Sequence, residues 1–234
     1  MDILTTKIGL EMLLRWGHFL SGVVWIGLLY YFNFVQTEYF KEAEPQAKSD
    51  AIRKLVPRAL WWFRWGALLT FLTGAGIFAL RGGGMPVDIY IGALLGTLMF
   101  LNVWMIIWPN QKIVIASAEQ VAKGGAPMPD AAGALGIAGL ASRTNTLFSV
   151  PMLFFMGAST HYPHLSVGVV GVLLAILIIV VLEYNAAYQP LSRFDAVKKL
   201  PAAGKMGPMA SVTGVIHSGL GLTVVLFLCL ELFS

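Results

Sequence analysis

Six apolar stretches, each at or near the length of a membrane-spanning helix, constrain this chain more than any other feature. The hydrocarbon core of a bilayer is about 30 Å thick and needs roughly 20 apolar residues in a helix. The sequence therefore predicts an all-α, polytopic integral membrane bundle of about six transmembrane helices, in a single domain over residues 1–234. The predicted spans are residues 9–36, 60–80, 89–108, 146–160, 165–187 and 209–233.

Composition and motifs exclude several classes of protein. Charged residues make up 12% of the chain, about half their share in soluble domains. The single cysteine, Cys229, has no partner for a disulfide and cannot bind an iron–sulfur cluster alone. There is no CxxCH motif for covalent haem c, no nucleotide-binding glycine motif and no surface typical of nucleic-acid binding. The environment that the composition predicts is the lipid bilayer.

Basic residues predict the orientation of the bundle. Of the 16 Lys and Arg residues, all but Lys7, Arg15 and Arg81 fall in or beside the first, third and fifth connections. Cytoplasmic loops carry the excess of Lys and Arg in membrane proteins. We therefore expect these connections to be cytoplasmic and both termini to be periplasmic.

Small residues indicate how parts of the chain pack. The Ala/Gly-rich segment 131–141 is too short to span, so we expect it to be interfacial or packed on the bundle. Gly92 and Gly96 form a GxxxG pair in the third span, which is typical of close helix contacts in membranes.

Two histidines lie within the predicted spans, where polar groups are costly and usually functional. His18 shares a helix face with Ser21, Gly22 and Trp25, and His217 lies between Gly214 and Gly221. This pattern favours axial ligation of a b-type haem by His18 and His217, because imidazole is a common haem ligand. The alternative is two histidines that hydrogen-bond between helices. The two histidines are predicted to lie at different depths in the membrane. At 1.5 Å per residue, His217 lies about 6 Å from the centre of its span toward the cytoplasm, whereas His18 lies slightly toward the periplasm from the centre of its own span.

Other polar and aromatic residues are weaker candidates. We expect Trp25, Asn102, Trp104 and Asn110 to line the pocket around the haem. His161 and His164 flank a proline in the outer turn after the fourth span, and form either a metal or quinol site or a helix end at the interface.

Three blocks resemble the membrane domain of the cytochrome-c-linked bacterial urate oxidases. Residues 14–27 are similar to that family's opening helix, which has the pattern R-W-x-H-x-x-x-G-x-x-W-I-G. Residues 102–112 include its W-P-N-Q-K turn, and residues 145–163 end on its H-Y-P turn. In the third block the family often has a histidine before the asparagine, where this chain has Thr144.

The resemblance implies a multi-pass protein of the bacterial inner membrane that oxidises urate by hydroxylation. The family carries its cytochrome domain at the C-terminus, and residues 1–234 have no motif for one. We therefore expect electrons to pass to a separate c-type cytochrome or respiratory complex.

A different class of function competes with this one. The chain is alternatively a non-catalytic accessory subunit of a larger respiratory or photosynthetic membrane complex, which small-residue helix faces favour and intramembrane histidines disfavour. A transporter has less support, because the fifth and sixth spans lack paired interruptions in mid-helix.

Overall fold

The computed structural model describes residues 2–233, and within them the fold is all-α, as the sequence predicts. Met1 and Ser234, the two ends of the predicted domain, lie outside the described residues. The α-helices in chain order are α1 (Asp2–Thr5), α2 (Lys7–Tyr30), α3 (Thr37–Glu42), α4 (Pro45–Lys54), α5 (Val56–Arg81), α6 (Val87–Leu101), α7 (Trp108–Ala122), α8 (Ala131–His161), α9 (Val169–Leu191), α10 (Asp195–Lys198) and α11 (Val212–Glu231).

Five helices are long and apolar enough to cross a membrane. Two of these are compound, because π-helical segments at Tyr31–Gln36 and Asn102–Ile107 join α2 to α3 and α6 to α7. Each compound helix has 36 residues, or about 54 Å at 1.5 Å per residue. The predicted spans 9–36 and 89–108 therefore cover only part of them.

The other three apolar helices, α5, α9 and α11, match their predicted spans closely. Their ends differ from the predicted limits by at most four residues. Hydropathy alone locates these helices because each is apolar on nearly every side, as expected for helices that face lipid.

The centre of the bundle differs from the prediction. The expected interfacial segment 131–141 and the short span 146–160 form one continuous helix of 31 residues, α8. This helix is longer than a bilayer requires, but it is not among the five apolar helices. Its lower hydropathy follows from its position in the bundle, because 15 of its 31 residues are buried. A helix that other helices shield does not need an apolar surface.

Packing places α8 against α6, α7, α9 and α11, while α2 and α5 form a close pair beside it. Glycines permit the closest contacts, as is usual in membrane bundles. A Cβ on Gly92 of α6 would lie 2.9 Å from Cγ of Met156 on α8. One on Gly219 of α11 would lie 2.7 Å from Cγ2 of Val150 on α8. Gly92 of the GxxxG pair therefore lies at a helix contact.

Replacement of Gly92 by leucine will destabilise the protein by about 1–3 kcal/mol, because overpacking of a filled contact costs that much. Gly157→Leu on α8 is the matched control, since a Cβ at Gly157 meets nothing within 4 Å. Thermal unfolding in detergent micelles measures the difference. Equal melting temperatures for the two variants would contradict the close contact of α6 with α8.

Candidate functional site

His18 is fixed against the neighbouring helix through one ring nitrogen. Its Nδ1 lies 2.9 Å from the carbonyl oxygen of Thr70 and 3.2 Å from Oγ1 of Thr73, both on α5. The carbonyl oxygen only accepts hydrogen bonds, so this contact places the proton on Nδ1. Nε2 has no hydrogen bond within the described residues and carries the lone pair.

Glycine and small polar residues let α2 and α5 approach closely around His18. A Cβ on Gly74 would lie 3.2 Å from Cε1 of the imidazole, so the absence of a side chain there accommodates the ring. One turn further along α2, Oγ1 of Thr70 donates to Oγ of Ser21 at 3.0 Å. Trp25 is 1% exposed on the same helix face, and its indole Nε1 has no hydrogen-bond partner among residues 2–233.

The structure does not bring His18 and His217 together. His217 is exposed on α11, on the side away from the buried residues Val215 and Gly219. The helix packs against α8 and α9, whereas α2 packs against α5 and α8. The packing of these helices therefore gives no support to a haem held between the two imidazoles.

Polar residues on α8 instead connect it to its neighbours. Ser142, Asn145 and Ser149 follow one another at i, i+3 and i+7, which places them along one side of the helix. Three interhelical hydrogen bonds join them to other elements: Asn33 Nδ2 to Ser142 Oγ at 2.8 Å, Asn102 Nδ2 to Asn145 Oδ1 at 3.0 Å, and Tyr30 Oη with Ser149 Oγ at 2.9 Å. We call these six residues, together with Glu183, the α8 polar belt.

Asn102 is the branch point of the belt. Its Nδ2 also donates to Oε2 of Glu183 on α9 at 3.0 Å, which links α6, α8 and α9. Asn145 is fully buried and donates to the carbonyl oxygen of Met99 at 2.9 Å. Asn102, expected to line a pocket, is thus bonded to two polar side chains in the core.

Both π-helical segments contribute an asparagine to the belt. Asn33 lies in Tyr31–Gln36 and Asn102 begins Asn102–Ile107. Single-turn π segments within α-helices are rare and occur frequently at functional sites. Apolar periodicity carries no signal for such segments, so Asn33 could not be found from sequence. Tyr30 and Ser149 lie in the α-helices α2 and α8, and they meet only through the packing of these helices.

Several buried polar atoms have no hydrogen-bond partner in the described residues. They are Nε1 of Trp25 and Trp104, Nη1 of Arg143, Oγ1 of Thr144 and Oε1 of Gln36. Each such atom costs about 1–3 kcal/mol when buried without a partner. Arg143 and Thr144 lie between Ser142 and Asn145 of the belt, and four of the five atoms carry a hydrogen. Each of these four atoms is a donor that lacks an acceptor in the described residues.

The two other pocket candidates make no hydrogen bond to the belt in the described residues. Trp104 packs edge-on against Trp65, with ring centroids 5.6 Å apart. Asn110 donates to the carbonyl oxygen of Ile106 on its own helix at 2.7 Å. The structure therefore gives Asn110 a local role at the start of α7.

The turn after α8 separates His161 from His164. His161 ends α8 and is exposed, whereas His164 is 6% exposed and lies between Asp88 and Glu231. Across residues 2–233, no group of three or more His, Cys, Asp or Glu side chains has a geometry for a metal ion.

A family model described as Urate oxidase N-terminal matches residues 84–207, more than half of the chain. The chain belongs to the urate oxidase N-terminal family. No curated protein and no solved structure matches it. Asn102, Asn145 and Glu183 of the belt lie within the segment that matches the family, whereas His18 and His217 lie outside it. The resemblance in residues 102–112 and 145–163 is therefore confirmed.

The bond between Asn102 and Asn145 will show as a coupling free energy in a double-mutant cycle. Asn102→Ala and Asn145→Ala should couple by about 0.6–1.7 kcal/mol, the average and upper values found for such bonds in a membrane protein. Asn102→Ala with Asn110→Ala is the control cycle and should be additive. Chemical unfolding in mixed micelles measures both cycles. Additivity in the first would contradict a direct bond.

Proposed function

We propose that the protein is a redox component of the bacterial inner membrane, in which His18 ligates a b-type haem and electrons pass to a separate c-type cytochrome or respiratory complex. The observation that carries the proposal is the state of the His18 ring, which is anchored through Nδ1 and free at Nε2. Bound haem would supply one-electron redox chemistry at this position.

The surroundings of His18 fit a metal ligand. Histidines that bind metals almost always donate the other ring N–H to a carboxylate, a carbonyl or water, which fixes the ring and raises its basicity. Here the carbonyl oxygen of Thr70 accepts that hydrogen bond from Nδ1 of His18, at 2.9 Å. The absence of a side chain at Gly74 lets the ring pack against α5. A haem shared by His18 and His217 is not proposed, because α2 and α11 do not pack together. We assign the haem to His18, because the Thr70 carbonyl anchors its ring.

Unpaired donors beside the α8 polar belt favour a substrate site of the urate-oxidase type. Urate has several carbonyl oxygens and is anionic, so it matches the free donor hydrogens of Arg143 and Thr144. We propose that these residues bind the oxygens of such a heterocycle, and that the indole of Trp104 donates a further hydrogen bond. Asn102 and Asn145 hold the neighbouring helices in position.

We further propose that α8 also crosses the membrane, in addition to the five apolar helices. Six crossings in all place both termini on the periplasmic side. Its length exceeds that of a bilayer span, and its polar residues face other helices instead of lipid. Six crossings return the chain to its starting side. The basic connections then face the cytoplasm, as the positive-inside rule requires.

Absorption spectroscopy of the purified chain, expressed with excess haem, tests the ligand. Wild-type protein and His217→Ala should show a Soret band, whereas His18→Ala should lose it because the metal ligand is gone. Thr73→Val should keep the band, since the Thr70 carbonyl still anchors the ring. Absence of the band in wild-type protein, or its retention in His18→Ala, would contradict the proposal.

Cysteine labelling tests the crossing of α8. In a Cys229→Ser background, Leu165→Cys should react with a membrane-impermeant maleimide from the periplasmic side. Lys123→Cys should react only after the membrane is permeabilised. Labelling of both positions from one side would show that α8 does not cross the membrane.

An accessory subunit remains the second candidate, because His217 is exposed on α11 and has no hydrogen-bond partner in the described residues. An intramembrane histidine that faces lipid is costly, so a helix of another protein would stabilise it. Purification in mild detergent distinguishes the two functions. An accessory subunit would co-purify in stoichiometric amount with a large complex and would bind no haem alone. The His217→Phe variant would no longer co-purify with that complex.

A further inference from the structure

Two cations from different helices lie beside one indole ring. The Cζ atom of Arg64, on α5, is 3.8 Å from the centroid of the Trp108 ring, at the start of α7. Nζ of Lys112 lies 5.7 Å from the same centroid. Trp108 and Lys112 are four residues apart on α7 and therefore share a helix face. We call Arg64, Trp108 and Lys112 the Arg64 site.

The indole ring orients the guanidinium of Arg64. A separation of 3.8 Å is the normal contact distance between carbon atoms, so the planar guanidinium lies against the face of the ring. This contact is favourable because the face of an indole is electron-rich. The N–H groups of a guanidinium lie in its own plane, so stacking leaves them unobstructed by the ring. The edge of the guanidinium is therefore available to an anion.

No carboxylate in residues 2–233 forms an ion pair with these two cations. The ion pairs of that part of the chain include neither Arg64 nor Lys112. In the first and fifth connections, by contrast, Lys41 pairs with Glu38 at 2.7 Å and Lys198 with Asp195 at 2.8 Å. The Arg64 site thus places two positive charges close together without an acidic counterpart.

The position of the Arg64 site along its helices matches the surface of a membrane. The predicted second span begins at residue 60 and the third ends at residue 108, so both helices meet the basic connections at this level. Trp61, one turn before Arg64, is 45% exposed. Tryptophan is enriched at the level of the lipid headgroups, and arginine near a helix end extends its guanidinium to the same level. The anion within reach there is a lipid phosphate.

Exposed apolar side chains continue from the site toward the middle of the predicted spans. Met105, three residues before Trp108, is 68% exposed, and Leu72, about two turns after Arg64, is 53% exposed. These side chains offer contacts to acyl chains, whereas Arg64 and Lys112 offer positive charge. A soluble anion would use only the charge. The combination therefore favours a phospholipid.

We propose that the Arg64 site binds the phosphate of an anionic phospholipid of the phosphatidylglycerol class, in the leaflet beside the basic connections. The guanidinium donates two hydrogen bonds to phosphate oxygens, because its planar fork matches that geometry. Lys112 supplies the second positive charge. Basic pockets between membrane helices are suited to anionic headgroups of this kind. The site shares no residue with the haem ligand, the belt or the proposed substrate site, so it goes beyond the proposed function.

Native mass spectrometry of the full, delipidated chain tests the proposal. Phosphatidylglycerol and phosphatidylcholine with the same acyl chains are added in turn, and wild-type protein should bind one phosphatidylglycerol molecule more tightly than phosphatidylcholine. Arg64→Gln and Lys112→Gln should each weaken binding of phosphatidylglycerol about fivefold, and the double variant about twenty-fivefold, as expected for loss of basic residues near an anionic surface. Lys112 is exposed, so Lys112→Gln tests the site even if Arg64→Gln fails to fold.

A second double variant, Lys41→Gln with Lys198→Gln, is the matched control. It changes the net charge equally but removes cations that already have acidic partners. We expect it to bind phosphatidylglycerol as wild-type protein does. Arg64→Lys keeps the charge but loses the planar stack on Trp108, so its affinity should lie between those of wild-type protein and Arg64→Gln.

Thermal unfolding in neutral detergent distinguishes a lipid from a free anion. Phosphatidylglycerol should raise the melting temperature of wild-type protein but not that of the Arg64→Gln/Lys112→Gln variant. Sodium phosphate should have the same effect as NaCl of equal ionic strength. Equal affinity of wild-type protein for the two lipids, an equal loss of phosphatidylglycerol binding in the control variant, or specific stabilisation by sodium phosphate would overturn the proposal.

Discussion

The need to satisfy polar groups inside an apolar bundle governs the arrangement of this protein. Water is scarce between membrane helices, so a buried polar side chain must find its partner on a neighbouring helix. α8 concentrates such side chains over residues 142–149, and Asn33, Asn102 and Tyr30 bond to it from two other helices. The position of α8 at the centre follows from this requirement, because lipid could not satisfy the same groups.

The two π-helical segments are part of this arrangement. Each is one turn long, each lies within a compound helix of 36 residues, and each carries an asparagine that bonds to α8. A π turn interrupts the regular hydrogen-bond pattern and changes the direction of the side chains that follow. The segment that matches the urate oxidase N-terminal family includes one of these turns and all of residues 142–149 of α8.

Three polar sites are separated in the fold. His18 lies in the pair α2 and α5, the belt surrounds α8, and His164 bonds to Asp88 and Glu231 at the ends of α6 and α11. In each case a group without freedom to move orients a polar side chain: a backbone carbonyl, a network of amides, or a buried carboxylate. The fold therefore keeps three polar clusters apart, and the one at His164 is buried.

The sequence by itself determined the all-α class, the family and three of the apolar helices, because length and hydropathy report directly on contact with lipid. The sequence also predicts His18 as a ligand, since an imidazole in an apolar stretch is conspicuous, and this stays a prediction. Only the tertiary structure decided that α8 is one helix, that His217 is exposed on a helix packed against α8 and α9, and that Asp88 and Glu231 enclose His164. Hydropathy cannot distinguish a shielded polar helix from an interfacial one, and partners 67–76 residues apart in sequence meet only through packing.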